Sequence, residues 1–106
     1  MGAATYPDDL RAAAVIACLM VQNAPDLSPA LTAALQTRRP SEILTDPELK
    51  HAVIEIYSRW QKLESQRGTR IRALCDTGMS KEEAQESFNL AVSRACIAAA
   101  LTGGKP

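Results

Sequence analysis

The stretch TDPELKHAVIEIYSRWQKLESQRGTRIRALCDTGM, residues 45–79, decides the fold. Leu49, Val53, Ile56, Trp60, Leu63, Arg67, Ile71 and Leu74 recur at steps of three and four. At ~100° per residue they occupy one narrow sector of a helix, and Tyr57 and Cys75 widen it. The start is chemically marked. Thr45 and Glu48 have capping-box spacing, and Asp46-Pro47 places an acid and a proline in the first turn. Gly78 suits the left-handed position that follows a helix end. The seam is interrupted in its middle, where Arg67 stands in the apolar sector and Gly68 follows. Glycine inside a helix costs about 1 kcal/mol relative to alanine. The stretch therefore reads as one long helix or two in line, with a kink or a polar layer between Glu64 and Arg70.

Outward from this stretch, the chain reads as helices that pack on it. Met1 to Ala4 reads as a loose end. Thr5-Tyr6-Pro7-Asp8 combines a capping hydroxyl, an early proline and acids in a first turn, and predicts a helix to about Asn23, stopped by Pro25. From Ala12 onward that helix is apolar on every side, which implies burial all round. A chain this small cannot easily bury an outer helix completely, so part of it is expected to face another chain. Ser28-Pro29 starts a second helix carrying Leu31, Ala34 and Leu35, ended by Arg38-Arg39-Pro40. Ser41 to Leu44 reads as a single turn that pins Ile43 and Leu44. Ser80-Lys81-Glu82-Glu83 is a second capping box. It opens a last helix, Lys81 to Leu101, closed by Gly103-Gly104. Ala84, Phe88, Ala91, Val92, Ala95 and Ala99 line one side of it; Leu90, Ile97 and Leu101 line another, with nothing obvious in the chain to cover them. The expectation is a single all-α domain over 1–106. It has four main helices, a long third one and a C-terminal helical hairpin.

Composition agrees. A chain of 106 residues supports one modest core. Alanine and leucine dominate and aromatics make up 4% of the chain, which favours helix over sheet. Twelve basic and twelve acidic residues balance, against the basic bias usual in nucleic-acid or membrane-surface binders. Cys18, Cys75 and Cys96 show no metal or redox spacing and read as buried free thiols in a reducing compartment. No basic n-region precedes an apolar run, and Ala12 to Val21 is about half the length a bilayer needs. A cytoplasmic protein without membrane contact is expected.

The sequence holds no catalytic or metal constellation. His51, the single histidine, has Glu48 and Glu55 on its side of the helix but no third ligand and no nucleophile to serve. No glycine loop resembles a phosphate cradle. No catalytic residue, cofactor or metal ligand is assigned, and the chain is not expected to be an enzyme. One basic run stands out: Arg59, Lys62, Arg67, Arg70 and Arg72 face a single acid, Glu64. On an unbroken helix Arg59, Lys62, Gln66 and Arg70 share a flank, so Arg59, Lys62, Arg70 and Arg72 form an alternative nucleic-acid patch.

The apolar first helix, the Trp60-bearing long helix and the two-sided last helix resemble the small all-helical antiactivators that inhibit LuxR-type quorum-sensing regulators. The resemblance spans the whole chain as architecture and composition and includes no diagnostic motif, so no functional residue is carried over. It implies a dimeric, catalytically inert protein that covers the surface through which a LuxR-type transcription factor dimerises. Tyr57, Trp60, Arg67, Leu90, Ile97 and Leu101 are the candidate interface residues, toward a second copy or toward the partner. The alternative is a small DNA-binding or DNA-packaging protein, similar to phage small terminase subunits, that uses residues 59–72.

Overall fold

The computed structural model describes residues 2–102, with side chains from Leu10 onward. The fold is all-α. Six helices are present among the described residues: α1 Gly2–Asn23, α2 Pro29–Gln36, α3 Pro40–Thr45, α4 Pro47–Glu64, α5 Arg67–Asp76 and α6 Lys81–Leu101. Two expectations about α1 are corrected. Its backbone is helical from Gly2, so residues 2–4 are not a loose end, in keeping with the high helix propensity of Ala3 and Ala4. The start expected at Thr5 is moved too, since Thr5 lies within the helix; the side chains of Thr5 and Asp8 and the closing pair Gly103-Gly104 lie outside the described side chains or residues.

The capping chemistry explains most boundaries. Ser28 caps α2 by accepting the Leu31 N–H at 3.2 Å, with Pro29 next. Ser80 and Glu83 form a reciprocal box at the start of α6, at 3.0 and 3.1 Å. Gly78, at φ 107°, takes the left-handed turn after α5 that a side chain resists. Two boundaries differ from the sequence reading. Pro40 opens α3 instead of only ending α2, since Arg39 N–H is satisfied by Glu42 Oε1 at 2.9 Å. The cap of α4 is Asp46 and not Thr45. Asp46 Oδ1 accepts the N–H groups of Glu48 and Leu49 at 3.0 and 3.3 Å, while Thr45 turns its hydroxyl back to the Glu42 carbonyl.

The long third helix is divided. Between α4 and α5 the helical ladder stops at Ser65 and Gln66, where the Ser65 hydroxyl donates to the Lys62 carbonyl at 2.6 Å. Gly68 is not the break; it sits in the first turn of α5 with open space around it.

The core lies between α1, α4 and α6. Ala13, Ala14, Ala17 and Val21 of α1 meet Val53 and Ile56 of α4 and Val92, Cys96 and Ile97 of α6, all close to fully buried. Small α1 residues allow the helices to approach closely. On the far side, α2 and α3 cover α1 with Leu35 and Ile43. A polar tie joins α1 to α6: Asn23 Nδ2 donates to Ser93 Oγ at 3.0 Å, and Ser93 Oγ lies 3.4 Å from Met20 Sδ. α5 packs on α6 at the edge of this core and has no fully buried residue.

Candidate interaction surface

The six interface candidates are placed in three different ways. Tyr57 and Trp60 stack at 5.8 Å between centroids with an 18° interplanar angle. Both are half-buried against the core. Each packs against the core and stays partly exposed.

Arg67 has its acid within its own chain. Nε and Nη2 donate to the two oxygens of Glu64 at 2.8 and 2.6 Å, and Nη2 donates also to Asn89 Oδ1 at 2.7 Å. Its guanidinium lies 4.8 Å from the centre of the Phe88 ring. Glu64 raises the arginine's pKa further above its ordinary value, against the opposing effect of burial. The polar layer expected between Glu64 and Arg70 is built by an intramolecular fork. Arg67 ties the α4–α5 break to α6, and its side chain stays partly exposed.

Ile97 departs from the sequence reading. It is fully buried, whereas Leu90 and Leu101 are 47% and 53% exposed. The wheel places the three together, but α1 covers the C-terminal half of α6 on the Ser93–Ile97 flank. Leu90 and Leu101 lie outside that cover.

Three further large apolar side chains stand in solvent: Val15, Leu19 and Met79. Val15 and Leu19 are one turn apart on the outer face of α1. The all-round apolar character of that helix announced an outward face, but wheel position alone did not name its residues. Met79 escaped notice because it precedes α6 and belongs to no helix stripe.

The basic run is divided between two helices. Arg59, Lys62, Arg70 and Arg72 are all exposed, and none forms an ion pair among the described residues. Yet Arg59 and Lys62 lie on α4 and Arg70 and Arg72 on α5, and the break between them ends the shared helical register. Arg70 is held by Gln66, with Nε donating to Oε1 at 2.8 Å. Beside it, Ala73, Leu74, Phe88 and Ala91 line an open apolar groove of about 340 Å³ between α5 and α6.

Cys96 is buried and its thiol is pushed up to about 11 by desolvation, with a smaller opposing pull from Arg59. Cys18 is half-buried with a raised pKa and its Sγ lies 3.5 Å from the Leu35 carbonyl oxygen. Cys75 is also half-buried; all three are free thiols, less uniformly buried than expected. His51 is exposed on α4. Among the described residues no three histidine, cysteine or acidic side chains converge as a metal site. No described helix is long and apolar enough to cross a membrane. Compared with protein-family models, curated proteins and solved structures, the chain gives no match.

Proposed function

We propose that this protein is a non-catalytic, cytoplasmic regulator that acts by covering a surface of another protein with apolar helix faces. The observation that carries this reading is the outward placement of Val15 and Leu19 on α1, about half exposed each, over a core already closed beneath them. Neighbouring exposed apolar side chains on one face mark association sites more often than isolated ones do. The all-helical architecture and its resemblance to antiactivators of LuxR-type regulators support a finer version, in which the covered surface is the one through which the transcription factor dimerises.

The test uses a LuxR-type regulator of the source organism with its reporter promoter. Co-expression of the wild-type protein is expected to lower reporter output, and sedimentation of the purified mixture should show the regulator dimer replaced by a mixed complex. Val15→Asp with Leu19→Asp should abolish both effects while leaving the helical circular dichroism intact. A regulator dimer untouched by excess wild-type protein contradicts the antiactivator reading.

A second reading draws on the exposed cations Arg59, Lys62, Arg70 and Arg72, which have no acidic partner among the described residues. It requires duplex DNA binding that weakens steeply with salt and is lost in Arg59→Ala with Arg70→Ala. Absence of binding at low salt removes it.

A further inference from the structure

We propose that the open groove beside Val15, between α1 and the α2–α3 junction, docks an acidic amphipathic helix of a partner protein. An apolar side chain of that helix enters against Val15, and carboxylates flanking it meet Arg11 and Arg39. The proposal rests on the reading of the outer face of α1 as a contact surface and adds the chemistry of what covers it.

Two elements build the groove. Arg11 and Val15 come from α1, four residues apart and therefore neighbours on one helix face. Arg39, Pro40 and Ser41 come from the junction, which Ile43 holds against α1 from within the core. These five residues line an open, mainly apolar space of about 340 Å³. That volume is at the low end for a binding cleft, and suits an inserted side chain better than a large ligand. The wall is apolar in its backbone as well. Pro40 has no N–H, and the Arg39 N–H is taken by Glu42 Oε1 at 2.9 Å. Leu19 continues the face by one turn, about half exposed like Val15. Val15 and Leu19 thus have the four-residue spacing that a docking helix meets with its own apolar stripe.

The charge of the groove selects the occupant. Both charged residues that line it are arginines, both are exposed, and neither forms an ion pair among the described residues. Glu42, the acid next along from Arg39, lines a different, polar cleft with Arg38 and Asp46. Asp8 and Asp9 precede Arg11 and lie outside the described side chains; Arg39, on a separate element, gives a test independent of them. A guanidinium on each element offers a fork to a carboxylate, so an apolar side chain with acids beside it complements both wall and rim. A membrane-seeking helix presents a broad projecting apolar face, whereas here two apolar side chains border a hollow. The groove between α5 and α6 has a single cation, Arg70, which is hydrogen-bonded to Gln66. The acidic helix therefore fits the α1 groove better.

The probe is a synthetic helical peptide of about 16 residues with a leucine seam flanked by glutamates, titrated into the full isotope-labelled chain and followed by NMR. A peptide with the same seam flanked by lysines is the control, and vesicles of phosphatidylserine and phosphatidylcholine form a separate arm. The glutamate peptide is expected to shift the amides of Arg11, Val15, Leu19, Arg39 and Ser41, and the lysine peptide and the vesicles to leave them in place. Arg39→Gln should weaken binding at least about threefold and Arg11→Gln with Arg39→Gln at least about tenfold, with helicity unchanged by circular dichroism. Any of four results overturns the proposal: no glutamate-peptide binding up to about 1 mM, equal binding of the lysine peptide, binding to the vesicles instead, or shifts centred on Leu74, Phe88 and Ala91. Loss of binding in Val15→Asp with Leu19→Asp, while the arginine variants bind as wild type does, overturns the acidic occupant and leaves the contact face standing. The regulator assay uses a different protein, so its failure is read separately.

Discussion

At the scale of single residues, the side chain with most at stake is Arg67. It makes three hydrogen bonds and one ring contact, and through Asn89 and Phe88 it joins the α4–α5 break to α6. About a third of the side chain remains in solvent, which screens the pair with Glu64. Arg67→Met keeps the length and removes the fork. Its cost is expected to be about 1 kcal/mol, read as a lower urea midpoint with an unchanged slope. An unchanged midpoint would show that the fork contributes nothing. Asp46 adds a pH dependence. The backbone hydrogen bond from Leu49 first, then the side-chain hydrogen bond from Arg38 and the backbone one from Glu48, hold its carboxyl below the ordinary value, more than offsetting desolvation. A folded pKa below the unfolded one stabilises the protein above about pH 4, and that stabilisation is lost as pH falls through the folded value. Thermal midpoints should therefore drop below pH 4 more steeply for wild type than for Asp46→Asn. Parallel curves would contradict this.

At the scale of elements, the division of the long helix has a consequence for motion. α4 contributes Leu49, Ala52, Val53 and Ile56 to the core, whereas α5 contributes no fully buried side chain. Local opening free energy follows buried apolar contact, so α5 is expected to exchange its amide hydrogens well before α4 and α6. Equal protection in α4 and α5 would mean that they open as one unit. Much of this architecture was legible from local chemistry. The caps Ser28 and Ser80, the proline at residue 29 and the glycine at residue 78 act on their own turns and need no tertiary knowledge. Asp46 outcompeted Thr45 because its carboxylate reaches two N–H groups, a choice that spacing alone does not make. The break at Ser65 was visible as an interruption of the seam. Its resolution was not visible, since Asn89 and Phe88 reach Arg67 from more than twenty positions away.

At the scale of the whole molecule, the contrast between Ile97 and Leu90 carries the account. Both occupy the same side of a helical wheel, and only the path of α1 separates a core residue from a surface one. A wheel cannot report which half of a helix another helix covers, and for that reason the candidate surface was only partly legible. The core closes within one chain, yet Val15, Leu19, Met79, Leu90 and Leu101 remain outside it. The account holds that these side chains serve contact and contribute little to folding. Ile97→Asp should therefore unfold the chain, because a buried carboxylate without a partner costs several kcal/mol. The most direct measurement is titration of the glutamate-flanked leucine peptide into wild type and into Val15→Asp with Leu19→Asp, with circular dichroism on the same samples. The account predicts binding to wild type and a fully helical double variant that does not bind. A double variant that binds as wild type does, or that loses its helicity, would contradict it.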